Sequence, residues 1–215
     1  MEKIAILGTG GFARELITLV QDINNVKPTF ELVGFVDGSL PKGQIVNGYP
    51  VIGSDEEINK TNDRIGLVLG FGNPQLKEKV RKQFTNPLVY FPTLIHPSVI
   101  IGDNRFVEIG QGCILCAACI ITTNIIIKDF VTLNLQCTVG HDTTINEYSA
   151  FMPTCNISGE VEIGKGVYCG TGVKIINQTS VGEYTIVGAG AVVTKPLPAK
   201  CTAVGVPAKP IKYHE

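Results

Sequence analysis

From Ile109 onward the chain divides into sixes: IGQGCI (109–114), LCAACI (115–120), ITTNII (121–126), IKDFVT (127–132), LNLQCT (133–138), VGHDTT (139–144), INEYSA (145–150) and FMPTCN (151–156). The frame continues without a slip to Val193. A large apolar residue opens every six, from Ile109, Leu115 and Ile121 through Phe151, Ile163 and Cys169 to Val187 and Val193. The fifth place is small or β-branched throughout, from Cys113, Cys119 and Ile125 to Thr179, Thr185 and Ala191. Gly takes the second place at Gly110, Gly140, Gly164, Gly170, Gly182 and Gly188. Neither a helix nor an ordinary strand repeats in six. A parallel β-helix of hexapeptides does, with the large residue pointing inward and the small one where the coil walls converge. Glycine after the apolar residue is expected to relieve strain at the corner. Three sixes make one triangular coil, so residues eighteen apart stack. A less regular first coil is expected through Ile95, Val99, Ile101 and Val107. No insertion interrupts the frame, so no loop should jut out between 109 and 193.

Before Pro97 the rules differ. Ile4–Leu7, Leu32–Val36 and Ile65–Leu69 are apolar runs that stop at Gly8, Asp37 and Gly70. Phe12–Gln21 carries apolar residues at helical spacing, and Pro74–Phe84 reads as a helix with Asn73 as N-cap and Pro74 in its first turn. Alternating strands and helices predict a parallel sheet with covering helices over residues 1–94.

Lys and Arg number 18 against 19 Asp and Glu, a net charge of −1. No basic face is dense enough for nucleic acid. The longest apolar run, Cys113–Ile121, is far short of the ~20 residues of a membrane span, and the N-terminus does not resemble a signal peptide. The seven cysteines read as reduced thiols and place the protein in the cytoplasm. Cys113, Cys116 and Cys119 have a metal-like spacing. However, Cys113, Cys119, Cys137 and Cys155 fall on the small inward places and Cys169 on a large one, so core packing explains them better.

Gly8-Thr-Gly10-Gly11-Phe12-Ala13 fits G-x-G-x-x-G/A between a strand and a helix, a pattern that brings a diphosphate against backbone N–H groups. Asp37 ends the next strand, where a carboxylate can accept from a ribose or base. Gly70-Phe-Gly72-Asn73-Pro74 ends a third strand on the same sheet edge. NAD is the obvious ligand. However, about 90 residues make only one mononucleotide-binding half, which suits a nucleotide diphosphate better. Of His96, His141 and His214, the first lies at the junction and the last near the chain end. His141 departs from the usual corner filler and brings Asp142 with it. Gly159, eighteen residues on, leaves room beside the imidazole. An imidazole next to a carboxylate is a natural general base at neutral pH. Three scattered histidines argue against a zinc site, and no metal is expected.

The hexapeptide array, the segment Asn134-Leu-Gln-Cys-Thr-Val-Gly-His141-Asp142, the run Val187–Lys195 and the tail Gly205-Val-Pro-Ala-Lys209 resemble one family. It is the left-handed β-helix sugar acyltransferases related to sialic acid O-acetyltransferase and to the UDP-4-amino-sugar N-acetyltransferase of bacillosamine synthesis. The resemblance implies an α/β + β chain. A small Rossmann-like nucleotide-sugar-binding domain (1–94) precedes a left-handed parallel β-helix with a C-terminal tail (95–215). It also implies a homotrimer, with acetyl-CoA bound along the β-helix between subunits. His141 is implied as general base, Asp142 as its support, and Asn134 as an active-site amide near the sugar. Gly10, Gly11, Phe12, Asp37, Gly72 and Asn73 match nucleotide-sugar contacts; Gly159, Thr171 and Ala189 match positions lining acetyl-CoA. Ala150 stands where some relatives place a His near the thioester. A backbone N–H near Gly159 is the expected oxyanion donor. The expected activity is acetyl transfer to the amine of a nucleotide-linked 4-amino sugar, with UDP or dTDP as the nucleotide. O-acetylation of a sugar hydroxyl is the nearest alternative. An NAD-linked oxidoreductase and a non-catalytic nucleotide-sugar-binding protein are alternatives of another class.

Overall fold

A computed structural model describes residues 1–214. The first ninety residues form a six-stranded sheet. Its strands are β1 (Glu2–Leu7), β2 (Phe30–Val36), β3 (Ile45–Val46), β4 (Tyr49–Gly53), β5 (Ile65–Leu69) and β6 (Val89–Tyr90) in the order β3-β4-β2-β1-β5-β6. All neighbours are parallel except β3 and β4, a hairpin that the apolar runs do not signal. The helices are α1 (Gly11–Val26), α2 (Asp55–Asn59) and α3 (Pro74–Arg81). Every residue of β5 is buried, as a central parallel strand requires. Asn73 caps α3, its side chain accepting from the Leu76 amide at 2.9 Å.

From Leu94 the chain winds into the left-handed parallel β-helix expected from the sixes. Its first face stacks strands beginning at Leu94, Ile114, Thr132, Ala150, Tyr168, Ile186 and Cys201. The second face stacks those at Ile100, Ile120, Thr138, Asn156, Lys174 and Val192, and the third those at Val107, Ile125, Thr144, Glu162 and Ser180. Partners stand eighteen apart, as in Ile114↔Thr132 and Ile121↔Val139. The first coil is longer, pairing Leu94 with Ile114, because a 3₁₀ turn at Asn104–Phe106 widens one corner. An antiparallel strand, Lys209–Tyr213, closes the first face.

The large first-place residues fill the interior; Leu115, Phe151, Ile163 and Val187 are fully buried. Ile95, Val99, Ile101 and Val107 pack against that core as the first coil. The second-place glycines do not act as expected. None of the six has positive φ. They are needed for close approach instead: a Cβ on Gly140 would lie 2.6 Å from the Gly159 nitrogen, and one on Gly164 2.5 Å from that of Glu183. Positive φ falls on the fourth place of every six, where Ala118, Asn124, Phe130, Gln136, Asp142, Tyr148, Thr154, Glu160, Gln178 and Tyr184 adopt it beside four glycines. Each such side-chain-bearing residue costs about 1–2 kcal/mol of backbone energy.

The fifth place has a rule of its own. Cys113, Cys119, Cys137, Thr143, Ser149 and Cys155 each donate to the carbonyl fifteen residues on: Lys128, Asn134, Met152, Ser158, Gly164 and Gly170. Cysteine serves there as a small side chain with a weak donor. All seven thiols are free and buried. Burial pushes Cys113 up to about 11 and Cys116 up to about 12, so neither is a thiolate nucleophile. Cys116, outside the repeat's rule, packs against α1. Thr179 has no partner for its hydroxyl; the final coil is shortened, and Val187 pairs with Ala203 rather than with a residue eighteen on.

The α/β unit sits on the first face. Lys77 of α3, 1% exposed, donates to the Phe130 carbonyl at 2.7 Å and to the Thr132 hydroxyl at 3.1 Å. Burial pushes its ammonium down to about 7. Next to it, Glu78 accepts from Lys165 at 2.8 Å and from Tyr184 at 2.9 Å. Across the joint Phe91 meets Phe130 edge to face at 5.3 Å, and Phe130 stacks on Tyr148 at 5.2 Å. Burial pushes the Glu78 carboxyl up, but hydrogen bonds from Lys165, Lys82 and Tyr184 outweigh it and hold the group at about 2.

Two predictions follow from this packing. Glu78 titrates lower in the folded chain than its ordinary 4.5, so its contribution is complete above pH 4.5 and lost as the pH falls towards 2. Melting temperatures measured across that window should fall more steeply for the parent than for Glu78→Gln. Ser149→Ala should cost about 1–3 kcal/mol in urea unfolding, because it strands the Gly164 carbonyl. Thr179→Val, which removes an unpaired hydroxyl, should be neutral or stabilising.

Candidate active site

The C-terminal ends of β1, β2 and β5 converge on one edge. Gly8 N–H donates to the Val36 carbonyl, Gly70 N–H to Leu7 and Asp37 N–H to Gly53. Gly8 turns the chain at φ +89. Gly10 and Gly11 then open α1, both exposed, with nothing within 4 Å of where a side chain would begin. A Cβ on Gly70 would meet Ala13 at 2.6 Å, so Ala13 and Gly70 let helix and sheet approach closely. The edge is therefore an open cradle of backbone at a helix N-terminus, suited to a phosphate.

Asp37 stands beside this cradle, half-buried. Its Oδ2 accepts from the Thr9 hydroxyl at 2.7 Å, and its Oδ1 from the Ser39 amide at 2.9 Å and hydroxyl at 2.6 Å. Burial raises the carboxyl, but the bonds from Ser39 and Thr9 win and hold it below the usual range. Thr9 and Ser39 are missing from the sequence reading; the x of G-x-G and the second residue after Asp37 were the signal. Gly72 and Asn73 line a cleft of about 420 Å³ with Met152, Tyr168 and Ile186 of the first face. Phe12 turns the other way. It lines a groove of about 240 Å³ with Leu19, His96, Cys116, Ala117 and Leu135. There His96 bonds Asp22 of α1 at 3.1 Å, a tie between the two units.

His141 follows the Thr138–Val139 strand of the second face, on the corner leading to the third. Its Nδ1 lies 2.7 Å from Oδ2 of Asp142. The imidazole lies over Gly159: a Cβ there would be 2.5 Å from Nε2, so only glycine admits the ring. Both members of the pair are about half exposed. Asp142 sits at φ +56, and its Oδ1 accepts from Asn124 Nδ2 at 2.9 Å. Bonds from His141 and then Asn124 hold its carboxyl below the usual range. Asn124 also escaped the sequence reading, although it stands eighteen residues before Asp142.

The expected residues do not meet in one chain. Asn134 is buried one corner away, its Oδ1 taken by the Leu135 amide at 2.7 Å. Thr171 and Ala189 are exposed and stack on that same corner, across the second face from His141. Ala150 is fully buried on the first face, next to Ser149 whose carbonyl Lys77 reaches, so it lines no ligand groove. Gly159 is buried under the imidazole, where it makes room for the ring. The glycine cradle overlies the first face, and His141 stands on the opposite corner of the prism. Among the described residues no group of three or more His, Cys, Asp or Glu is placed to hold a metal ion, and no helix is long and apolar enough to cross a membrane.

Known proteins share this architecture. Residues 3–84 match the PglD N-terminal domain family. GDP-perosamine N-acetyltransferase of Escherichia coli O157:H7 is 30% identical over 219 residues, covering 99% of this chain and 97% of that protein. PerB from Caulobacter crescentus, solved in complex with CoA and GDP-perosamine, superposes with a TM-score of 0.88 at 27% identity, covering 99% of this chain and 98% of that one. The acetyltransferase domain of PglB from Neisseria gonorrhoeae FA1090 gives 0.87 at 28% identity, over 98% and 100% of the two chains. With a PglD-type N-terminal unit docked on a hexapeptide β-helix, and that likeness running along the whole chain, this protein belongs to the left-handed β-helix sugar N-acetyltransferases.

Proposed function

We propose that the chain transfers the acetyl group of acetyl-CoA to the amine of a nucleotide-linked 4-amino sugar, with His141 as general base. The observation that carries the reading is the His141–Asp142 pair. A carboxylate only accepts, so Nδ1 is the protonated nitrogen and Nε2 keeps its lone pair. The acceptor amine attacks the thioester carbonyl carbon while Nε2 takes a proton from the nitrogen. The tetrahedral intermediate then breaks its C–S bond. The leaving thiolate recovers the proton from the imidazolium, giving the amide and free CoA.

The acceptor's phosphates suit the Gly10–Gly11 cradle, with Asp37 accepting from its ribose or base. GDP is the first nucleotide to test, ahead of UDP and dTDP, because two relatives are named for GDP-perosamine or were solved with it. Thr171 and Ala189 are the exposed candidates for the acetyl-CoA groove. Asn134 remains a candidate sugar-side amide through its Nδ2. The opposed placement of cradle and histidine supports a homotrimer in which one subunit's nucleotide unit faces another's His141. Exposed Ile100, Ile120 and Ile126 on the second and third faces supply apolar surface for that packing.

Thiol release from acetyl-CoA should appear with one of the GDP-, UDP- or dTDP-linked 4-amino sugars. His141→Ala should reduce it by about 10²–10⁴-fold. Release with free sialic acid alone would replace the reading by O-acetylation. The shared site has its own test. His141→Ala and Gly11→Leu chains, each inactive alone, should recover activity when co-expressed with two tags and isolated as mixed oligomers. Mixed oligomers as inactive as the parents would sink the shared site.

A further inference from the structure

The fourth-place residues of the His141 corner form a column: Asn124, Asp142, Glu160 and Gln178, with φ of 53, 56, 57 and 57°. Their side chains pair in two steps. Asn124 Nδ2 donates to Asp142 Oδ1 at 2.9 Å, and Gln178 Nε2 donates to Glu160 Oε2 at 3.1 Å. The two amide–carboxylate pairs are alike in backbone and spacing. The order of amide and carboxylate is reversed between them, and only the carboxylate held by Asn124 also meets a histidine, through its other oxygen.

We propose that Asn124 is a positioning residue for the transfer reaction, fixing the Asp142 carboxylate so that Oδ2 stays on His141 Nδ1. The proposal rests on the reading of His141 as base. An exposed aspartate on a positive-φ backbone has freedom in both side-chain torsions, and an amide on one oxygen removes it. With Oδ1 taken by Asn124, the carboxylate offers its other oxygen to the ring. The imidazole keeps one tautomer and one orientation, with Nε2 presented over Gly159. Asparagine also tolerates this backbone better than most side chains, so the same residue relieves the turn and supplies the donor.

Glycine at 124 keeps the backbone favourable while removing the amide, which separates the two roles. Asn124→Gly should lower kcat about 3- to 10-fold, as expected for one exposed hydrogen bond to a charged group. KM for both substrates should stay within about twofold and the melting temperature should hold. Asn124→Asp, with a repelling carboxylate in place of the donor, should fall further. In an Asp142→Asn background, Asn124→Gly should change nothing more, because the two act as one unit. Gln178→Gly, which breaks the matching pair whose carboxylate meets no imidazole, should leave kcat unchanged. Full kcat in Asn124→Gly, or an equal loss in the Asp142→Asn background, would overturn the proposal. If His141→Ala is inactive while Asn124→Gly is not, the positioning role alone fails. If His141→Ala keeps its activity, the base assignment fails and takes this one with it.

Discussion

From Val107 to Val193 each coil of the β-helix is bonded to the next between residues eighteen apart, and nearly everything else in the molecule inherits that step. A shift of one residue would turn the large first-place side chains out of the interior. It would also carry the fifth-place donors off the carbonyls fifteen residues on. Inward packing and hydrogen-bond satisfaction therefore select the same register. The frame can run without a break because two independent requirements forbid its slipping. Where the step shortens, in the last coil, one of those requirements fails at once, and Thr179 loses its partner.

That constraint explains why so much of the fold was legible in the residues. A period of six, carried by volume at two places, needs no long-range information. The first, less regular coil could be traced through Ile95, Val99, Ile101 and Val107. The role of glycine was not legible. Glycine is the residue most associated with unusual backbone, yet here its second-place copies serve close approach between coils, as at Gly140 and Gly164. The strained place is the fourth, and it is occupied by residues as different as Phe130, Gln136 and Asp142. No composition rule marks such a place, because neighbouring coils impose the conformation. The joint with the α/β unit was equally hidden. Nothing in the helix pattern of Pro74–Phe84 sets Lys77 and Glu78 apart from its other charged residues, and only the docked structure shows both reaching the β-helix.

The site divides along the same line. The glycine cradle, Asp37 and the His141–Asp142 pair follow from local pattern: a strand end, a helix start, and a side chain that breaks the repeat. Ser39 bonds Asp37 locally, two residues on, whereas Thr9 and Asn124 make contacts set by sheet register and coil register, which single residues do not announce. Ala150 shows the limit of carrying a position over from a resemblance. Its place in the repeat points outward, as a ligand contact would, but the α/β unit covers that face and buries it completely.

The geometry of a triangular prism then bears on the chemistry. A unit docked on one face leaves the opposite corner bare, and that corner carries His141. Within a single chain the glycine cradle and His141 cannot close on one small molecule. Between chains they can, if the bare corner of one prism packs near the cradle of another. Asp142 belongs to that bare corner and is held from below by Asn124 rather than by anything in the α/β unit. The His–Asp geometry is therefore complete before any neighbour or ligand arrives. For the proposed transfer, the preorganisation that electrostatic catalysis requires comes from the β-helix itself, where stacking in steps of eighteen fixes the corner.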